Sequence, residues 1–252
     1  MTKANQAAGL KQLAAEIKKA ADKWQAANLQ RFFKTGPGQY GEGDVFLGIK
    51  VPVLRKIALR YQDLPRGDIE KSLASPYHEF RLVALFILIR QYERAGDMPA
   101  RKKIVDFYLA HTRGMNNWDL VDLSVCKILG EYLVARGKES KDFKRGIIPP
   151  ILLKLSNSTN LWERRMSMIA TFPFLREGRS DITFALAKKL LFEKHDLMHK
   201  AVGWMLREAG KRVSRQELLD FLNAHSKVMP RTALRYAIEH LDPGQREGYL
   251  KK

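Results

Sequence analysis

Residues 117–136 read NWDLVDLSVCKILGEYLVAR. Apolar residues recur in this stretch at steps of three and four, the period of a helix and not of a strand. Advancing about 100° per residue from Trp118 places Val121, Val125, Ile128 and Tyr132 between about −80° and −20°. Leu129 and Leu133 fall near +20° and +60° by the same count, and Asp122 lands near +40°, between these two leucines. The stretch is an amphipathic helix with one carboxylate in or beside its apolar stripe. The helical neighbours of Asp122 at three and four residues are Trp118, Asp119, Val125 and Cys126, so its own helix offers it no cation. Burying such a group without a partner costs several kcal/mol or raises its pKa. Two readings stay open: an ion pair with another helix, or a carboxylate kept for chemistry.

The same period extends outward over the chain. It predicts helices at 3–29, 52–62, 66–74, 77–94, 98–112, 117–136, 145–156, 160–176, 180–193, 197–212, 214–225 and 230–241. Breaks fall at Gly36-Pro37-Gly38, Ser75-Pro76, Gly96-Asp97, Gly114, Gly137, Ser156-Asn157-Ser158, Gly178 and Asp242-Pro243-Gly244. Thr159 and Asn160 are candidate N-caps, and Pro173 kinks or ends its helix. From residue 66 the helices pair. The second member of each pair begins near 77, 117, 160, 197 and 230, a spacing of roughly 33–43 residues, as in HEAT or armadillo arrays. The expected fold is all-α: a curved solenoid of degenerate HEAT-like repeats with an N-terminal helical cap, forming a single domain over 1–252. The glycine-rich stretch Lys34 to Ile49, KTGPGQYGEGDVFLGI, follows no strand and lacks the ending of a nucleotide P-loop, so it is read as a long ordered loop joining cap to repeats.

The 252 residues carry 45 Lys+Arg against 27 Asp+Glu, a net charge of +18. Hydrophobic residues make up 45%, which excludes a disordered basic tail. A folded chain this basic calls for a polyanion, nucleic acid first and an anionic membrane second. The single cysteine, Cys126, excludes an internal disulfide and cysteine-rich zinc modules, and it has no evident activator. The first thirty residues carry Glu16 and Asp22 and lack an apolar targeting core, and the most apolar run, Leu82 to Ile89, is far short of a membrane span. The expectation is a cytoplasmic monomer, associated with the nucleoid if bacterial. His195 and His199 have the spacing of a metal pair but no third ligand, so no metal site is read here.

Two further residues stand out. Arg165 lies about 20° from Phe172, inside the stripe of Leu161, Met168, Phe172 and Leu175, whereas Arg164 points toward solvent. It could pair with an aspartate of a neighbouring repeat or flank an anionic ligand. Trp204 sits about 100° from the stripe of Leu197, Met198, Ala201, Val202 and Met205, sharing its face with Lys200, Arg207 and Lys211. A tryptophan among cations suits nucleic-acid contact, or else packs against the neighbouring repeat under lysine stems. Arg207, Lys211, Arg212, Arg215, Arg231 and Arg235 give the C-terminal helices a basic face suited to tracking phosphates, with Lys200 beside it.

NWDLVD at 117–122, NLWERR at 160–165 and KAVGWMLRE at 200–208, with YGEGD at 40–44, FLGI at 46–49 and VPVLR at 51–55, resemble the AlkD-type DNA alkylation-repair glycosylases. The similarity runs from about residue 28 to 241, with motifs in the family's order. The glycine-rich loop is longer than the connection in some members. The resemblance implies HEAT-like repeats and a monofunctional glycosylase that removes N3- and N7-alkylated purines from double-stranded DNA without flipping the base into a pocket. By motif match, Asp122 is the catalytic carboxylate, Trp118 and Trp204 the aromatics at the lesion nucleotide's backbone, and Arg165 the arginine beside the site. It implies no cofactor and no metal. The alternative is a non-catalytic HEAT-like protein that binds DNA or branched DNA by the same basic face, although a pure binder has no need of a carboxylate facing phosphates. A protein-binding scaffold is a third reading that the charge disfavours.

Overall fold

The computed structural model describes residues 9–139 and 147–251. These form sixteen α-helices, one 3-10 turn and one π-helical turn, with no strand among the described residues and a single isolated bridge between Val45 and Tyr77. The fold is all-α and built of helical repeats. The chain divides into two compact units, up to Ser124 and from Val125.

The first unit begins with α1 (Leu10–Lys19) and α2 (Lys23–Phe32). The expected single helix over 3–29 is therefore two within the described residues, and its first residues lie outside them. The break has a local cause: the Asp22 carboxylate accepts from Gln25 N–H at 3.0 Å and starts a new helix. After the loop come α3 (Val51–Arg60), α4 (Arg66–Leu73), α5 (His78–Arg94) and α6 (Met98–Ala110). Helix α5 is the centre of this unit. Its apolar run is buried on every side, which marks an interior helix and not a surface one. No helix among the described residues is long and apolar enough to cross a membrane. The unit ends within α7 (Trp118–Val125), where Tyr108 of α6 and Ser124 share a buried hydrogen bond of 2.8 Å.

The second unit continues from Val125. Residues Cys126–Gly130 are wound as a π-helix, followed by α8 (Glu131–Glu139). The expected helix over 117–136 thus contains a wider turn, and equal steps of 100° do not hold beyond Val125. The placement of Asp122 between Leu129 and Leu133 does not survive this change of pitch, although Asp122 is half-buried as expected. Then come α9 (Pro150–Ser156), α10 (Leu161–Ile169), α11 (Phe172–Arg176), α12 (Asp181–Lys189), α13 (Asp196–Arg212), α14 (Arg215–His225), α15 (Arg231–Ala237) and α16 (Pro243–Leu250). Residues 145 and 146 of the helix expected over 145–156 lie outside the described residues. The helix expected over 160–176 breaks at Ala170–Thr171, because Pro173 has no N–H and sits in the first turn of α11. The terminal α16 stands where a break is expected: Pro243 and Gly244 look like a turn in sequence, yet the proline occupies the first helical position. Helix α13 is the centre of this unit. Gly203 lets α15 approach it, since a Cβ there would lie 2.4 Å from Ala233 O.

Gly48 closes the glycine-rich loop at φ +86°, and an added Cβ would meet Asp22 O at 2.1 Å and Ala26 N at 2.5 Å. Gly43 has a similar φ, +80°, but open space around it. Gly48→Ala is expected to cost roughly 2–4 kcal/mol, backbone strain plus overpacking, and Gly43→Ala only about 1–2 kcal/mol. Thermal melting of the two variants checks this; equal melting points would refute the close approach of loop and α2.

Candidate nucleic-acid interface

In the first unit the site is built on α7 and the glycine-rich loop. Asn117 Oδ1 accepts from Trp118 N–H at 2.8 Å and starts the helix. Trp118 comes first in α7 and Asp122 one turn later, so both lie on one side of it. Trp118 is half-buried, and its surroundings come from segments distant in sequence. Phe33 stacks on the indole at 5.0 Å and 27°, Phe32 meets it edge-on at 6.0 Å, and Tyr40 Oη accepts from Trp118 Nε1–H at 3.2 Å. Phe32 itself is 63% exposed. The result is an aromatic bracket open to solvent on one side.

Beneath the bracket lies a buried charge cluster. His78 Nδ1–H donates to Asp44 Oδ2 at 2.8 Å and His78 Nε2–H to Asp119 Oδ2 at 2.9 Å. Arg81 Nη2 donates to Asp44 Oδ1, Arg81 Nη1 to Ser75 O at 2.7 Å, and Asn117 Nδ2 to Asp44 Oδ2 at 3.1 Å. Burial alone would depress the His78 pKa. The hydrogen bonds to Asp119 and Asp44, and their negative charges, outweigh burial and hold it at about 9. For Asp44, burial pushes upward, but the His78 bond and charge and the Arg81 charge bring it below the ordinary carboxylate range. Glu79 completes the fastening of the loop. Its carboxylate accepts from the backbone N–H groups of Leu47 (2.8 Å), Gly48 (2.8 Å) and Ile49 (3.2 Å). Sequence reasoning missed His78, Glu79, Arg81, Asp44 and Tyr40. A signal was present: three ionisable residues in four positions, immediately before the apolar run of an interior helix.

In the second unit Arg165 is 5% exposed, buried as its place in the stripe predicted, and its Nη1 donates to Leu197 O. Arg164 departs from expectation. It is largely buried, donating to Ser158 O and Thr159 O at 2.9 Å and pairing with Glu193 at 2.8 Å. Asn160, not Thr159, is the N-cap of α10, accepting from Trp162 N–H at 2.9 Å. Trp204 is half-buried, beside the buried stripe of Leu197, Met198, Ala201, Val202 and Met205.

The basic face of the C-terminal helices is partly committed to local pairs. Lys200 holds Asp196 at 2.8 Å, Arg207 binds Glu208 and Glu239, Arg212 binds Glu208 at 2.8 Å, and Arg215 binds Asp242. Burial pushes Glu208 upward, but the bonds and charges of Arg212 and Arg207 bring it below the ordinary range. Arg231 donates to Leu250 O at 2.7 Å. Lys211, Arg231 and Arg235 are exposed. His195 and His199 serve helix ends: His195 Nδ1 accepts from Leu197 N–H at 3.1 Å, and His199 Nε2–H donates to Glu193 O. No group of three or more candidate metal ligands occurs among the described residues.

Residues 13–241 match the family model described as DNA alkylation repair enzyme. No curated protein matches the chain. A solved structure described as a predicted DNA alkylation repair enzyme from Enterococcus faecalis shares the fold, with a TM-score of 0.67 and 17% identity over 88% of this chain and 97% of that one. With nearly its whole length matched by that family model, the chain belongs to the family of DNA alkylation repair enzymes.

Proposed function

We propose that the protein is a monofunctional DNA glycosylase that hydrolyses the N-glycosidic bond of cationic N3- and N7-alkylated purines in duplex DNA. The observation that carries this reading is Trp118 and Asp122, one turn apart on α7, beside an aromatic bracket open to solvent, in a chain of this family. An N3- or N7-alkylpurine is already positively charged, so it departs as a neutral base and needs no general acid. The positive charge moves onto the deoxyribose. The Asp122 carboxylate stabilises that oxocarbenium-like centre and orients the attacking water, half of the two-carboxylate arrangement of glycoside hydrolases. The electron-rich face of Trp118 adds cation–π attraction. Such a reaction needs no base flipping into a pocket, no metal and no organic cofactor. In the second unit, Trp204 is assigned to the lesion nucleotide's backbone and Arg165 to a place beside the site, with Lys200, Arg207, Lys211, Arg212, Arg231 and Arg235 tracking phosphates.

Asp122→Asn keeps size and hydrogen bonding while removing the charge. Single-turnover release of 7-methylguanine should fall by roughly 10²–10³-fold, the scale of losing one electrostatic stabiliser, with DNA binding retained or tighter. A structural ion pair would instead cost about 3–5 kcal/mol in melting. Native melting with undiminished excision removes Asp122 from the mechanism. Because the leaving group must already carry charge, neutral lesions such as uracil should stay in the DNA; their efficient release would mean that a proton donor acts in the site. Affinity for undamaged duplex should fall linearly on a log–log plot against salt, and a flat response would sink the phosphate-tracking role of the basic helices.

A further inference from the structure

Tyr40 and Trp118 lie 78 residues apart and meet through one hydrogen bond, from indole N–H to phenol oxygen. Tyr40's own O–H is directed at Phe32 O, 3.5 Å away, which leaves a lone pair to face the indole. The two segments are joined a second time, out of solvent. Asp44, four residues after Tyr40, and Asp119, directly after Trp118, are held by the two nitrogens of one buried imidazole, that of His78. Asn117, directly before Trp118, reaches the same Asp44 carboxylate. His78 also stacks on Phe46 at 4.3 Å, Phe46 on Phe33 at 4.8 Å, and Phe33 on Trp118. Each side of the Tyr40–Trp118 contact is thus fixed to the same side chain.

We propose that Tyr40 and His78 are positioning residues for Trp118, with Tyr40 setting the edge of the indole and His78 pinning the glycine-rich loop to α7. The consequence for catalysis rests on the reading of Trp118 as a residue that touches the lesion nucleotide; the consequence for the indole does not. The charged groups facing His78 are Asp44 from the loop and Asp119 at the start of α7, with Asn117 held on the Asp44 carboxylate. On its own helix, Arg81 shares Asp44, and Glu79 turns to the loop backbone. Both carboxylates demand a cation between them. The pin should therefore be whole below His78's ordinary pKa near 6.5 and be released as pH rises through about 9.

The test uses the full chain labelled with ¹⁵N at tryptophan, which gives four indole resonances, Trp118→Phe identifying the one of interest. Tyr40→Phe should move the Trp118 resonance alone and speed its hydrogen exchange by about tenfold, the scale of one lost hydrogen bond, with melting little changed. In the wild type, the same resonance should move as pH is raised, with a midpoint near 9. His78→Gln should abolish that titration; if this variant does not fold, the wild-type titration decides. An unmoved Trp118 resonance in Tyr40→Phe, or one indifferent to pH across the midpoint, overturns the proposal. On duplex containing 7-methylguanine, Tyr40→Phe should lower the single-turnover rate by about tenfold at nearly constant affinity, as misplacement of a reacting neighbour does. A displaced resonance with native excision overturns the positioning role. If wild-type protein releases no base while the resonance still moves, the glycosylase reading fails and the placement of Trp118 by Tyr40 and His78 stands.

Discussion

The first unit depends on a buried imidazolium. Asp44, Asp119, His78 and Arg81 carry formal charges that sum to zero, and all four lie in the interior. None can be removed singly without orphaning another, a loss that in proteins costs about 3–5 kcal/mol. Such a cluster adds little net stability over an apolar one of equal shape. What it adds is direction: an apolar contact tolerates sliding, whereas two carboxylates on one imidazole fix two segments at stated atoms. A long loop with four glycines at positive φ or in tight approach needs that kind of fixing. The Glu79 carboxylate does the same for the backbone of residues 47–49, groups that a buried loop end would otherwise leave without partners.

The repeat architecture was legible because it is written in apolar periodicity. Helices expected to begin at 77, 117, 160, 197 and 230 begin at 78, 118, 161, 196 and 231. What periodicity does not carry departs from expectation. The break at Asp22 is a capping event, α16 begins on a proline that resembles a turn, and the π-turn at Cys126–Gly130 has no local signature in composition. Arg165 was legible as buried because it interrupts a stripe. Arg164 was not, since its partners are the carbonyls of the preceding turn and the distant Glu193, and nothing about the helix itself announces them.

Net charge was a coarser guide than it looked. It pointed to a polyanion, but it could not say which cations are committed to structure. Arg207, Arg212 and Lys200 are each engaged with acids on their own helix, and Arg207 also with Glu239 just past α15. An arginine so held has lost rotamer freedom already, so presenting its remaining N–H groups to a phosphate costs less ordering than an unrestrained side chain would. Pairing and phosphate contact are therefore compatible roles for the same residue.

The two aspartates of the WDLVD stretch show how the fold separates identical side chains. In sequence, Asp119 and Asp122 are equivalent: both on α7, both within a turn of Trp118. In the structure Asp119 is committed. One oxygen accepts from the His78 imidazolium, the other from Leu120 N–H at 2.8 Å, and the residue is 7% exposed. Its charge is balanced inside the fold by the His78 imidazolium. Asp122 lies a turn further on and is half-buried, outside the two hydrogen bonds by which His78 holds Asp44 and Asp119. The first acid is spent on fastening the loop to α7; for the second to take that place, the His78 pin would have to move by a full turn of the helix.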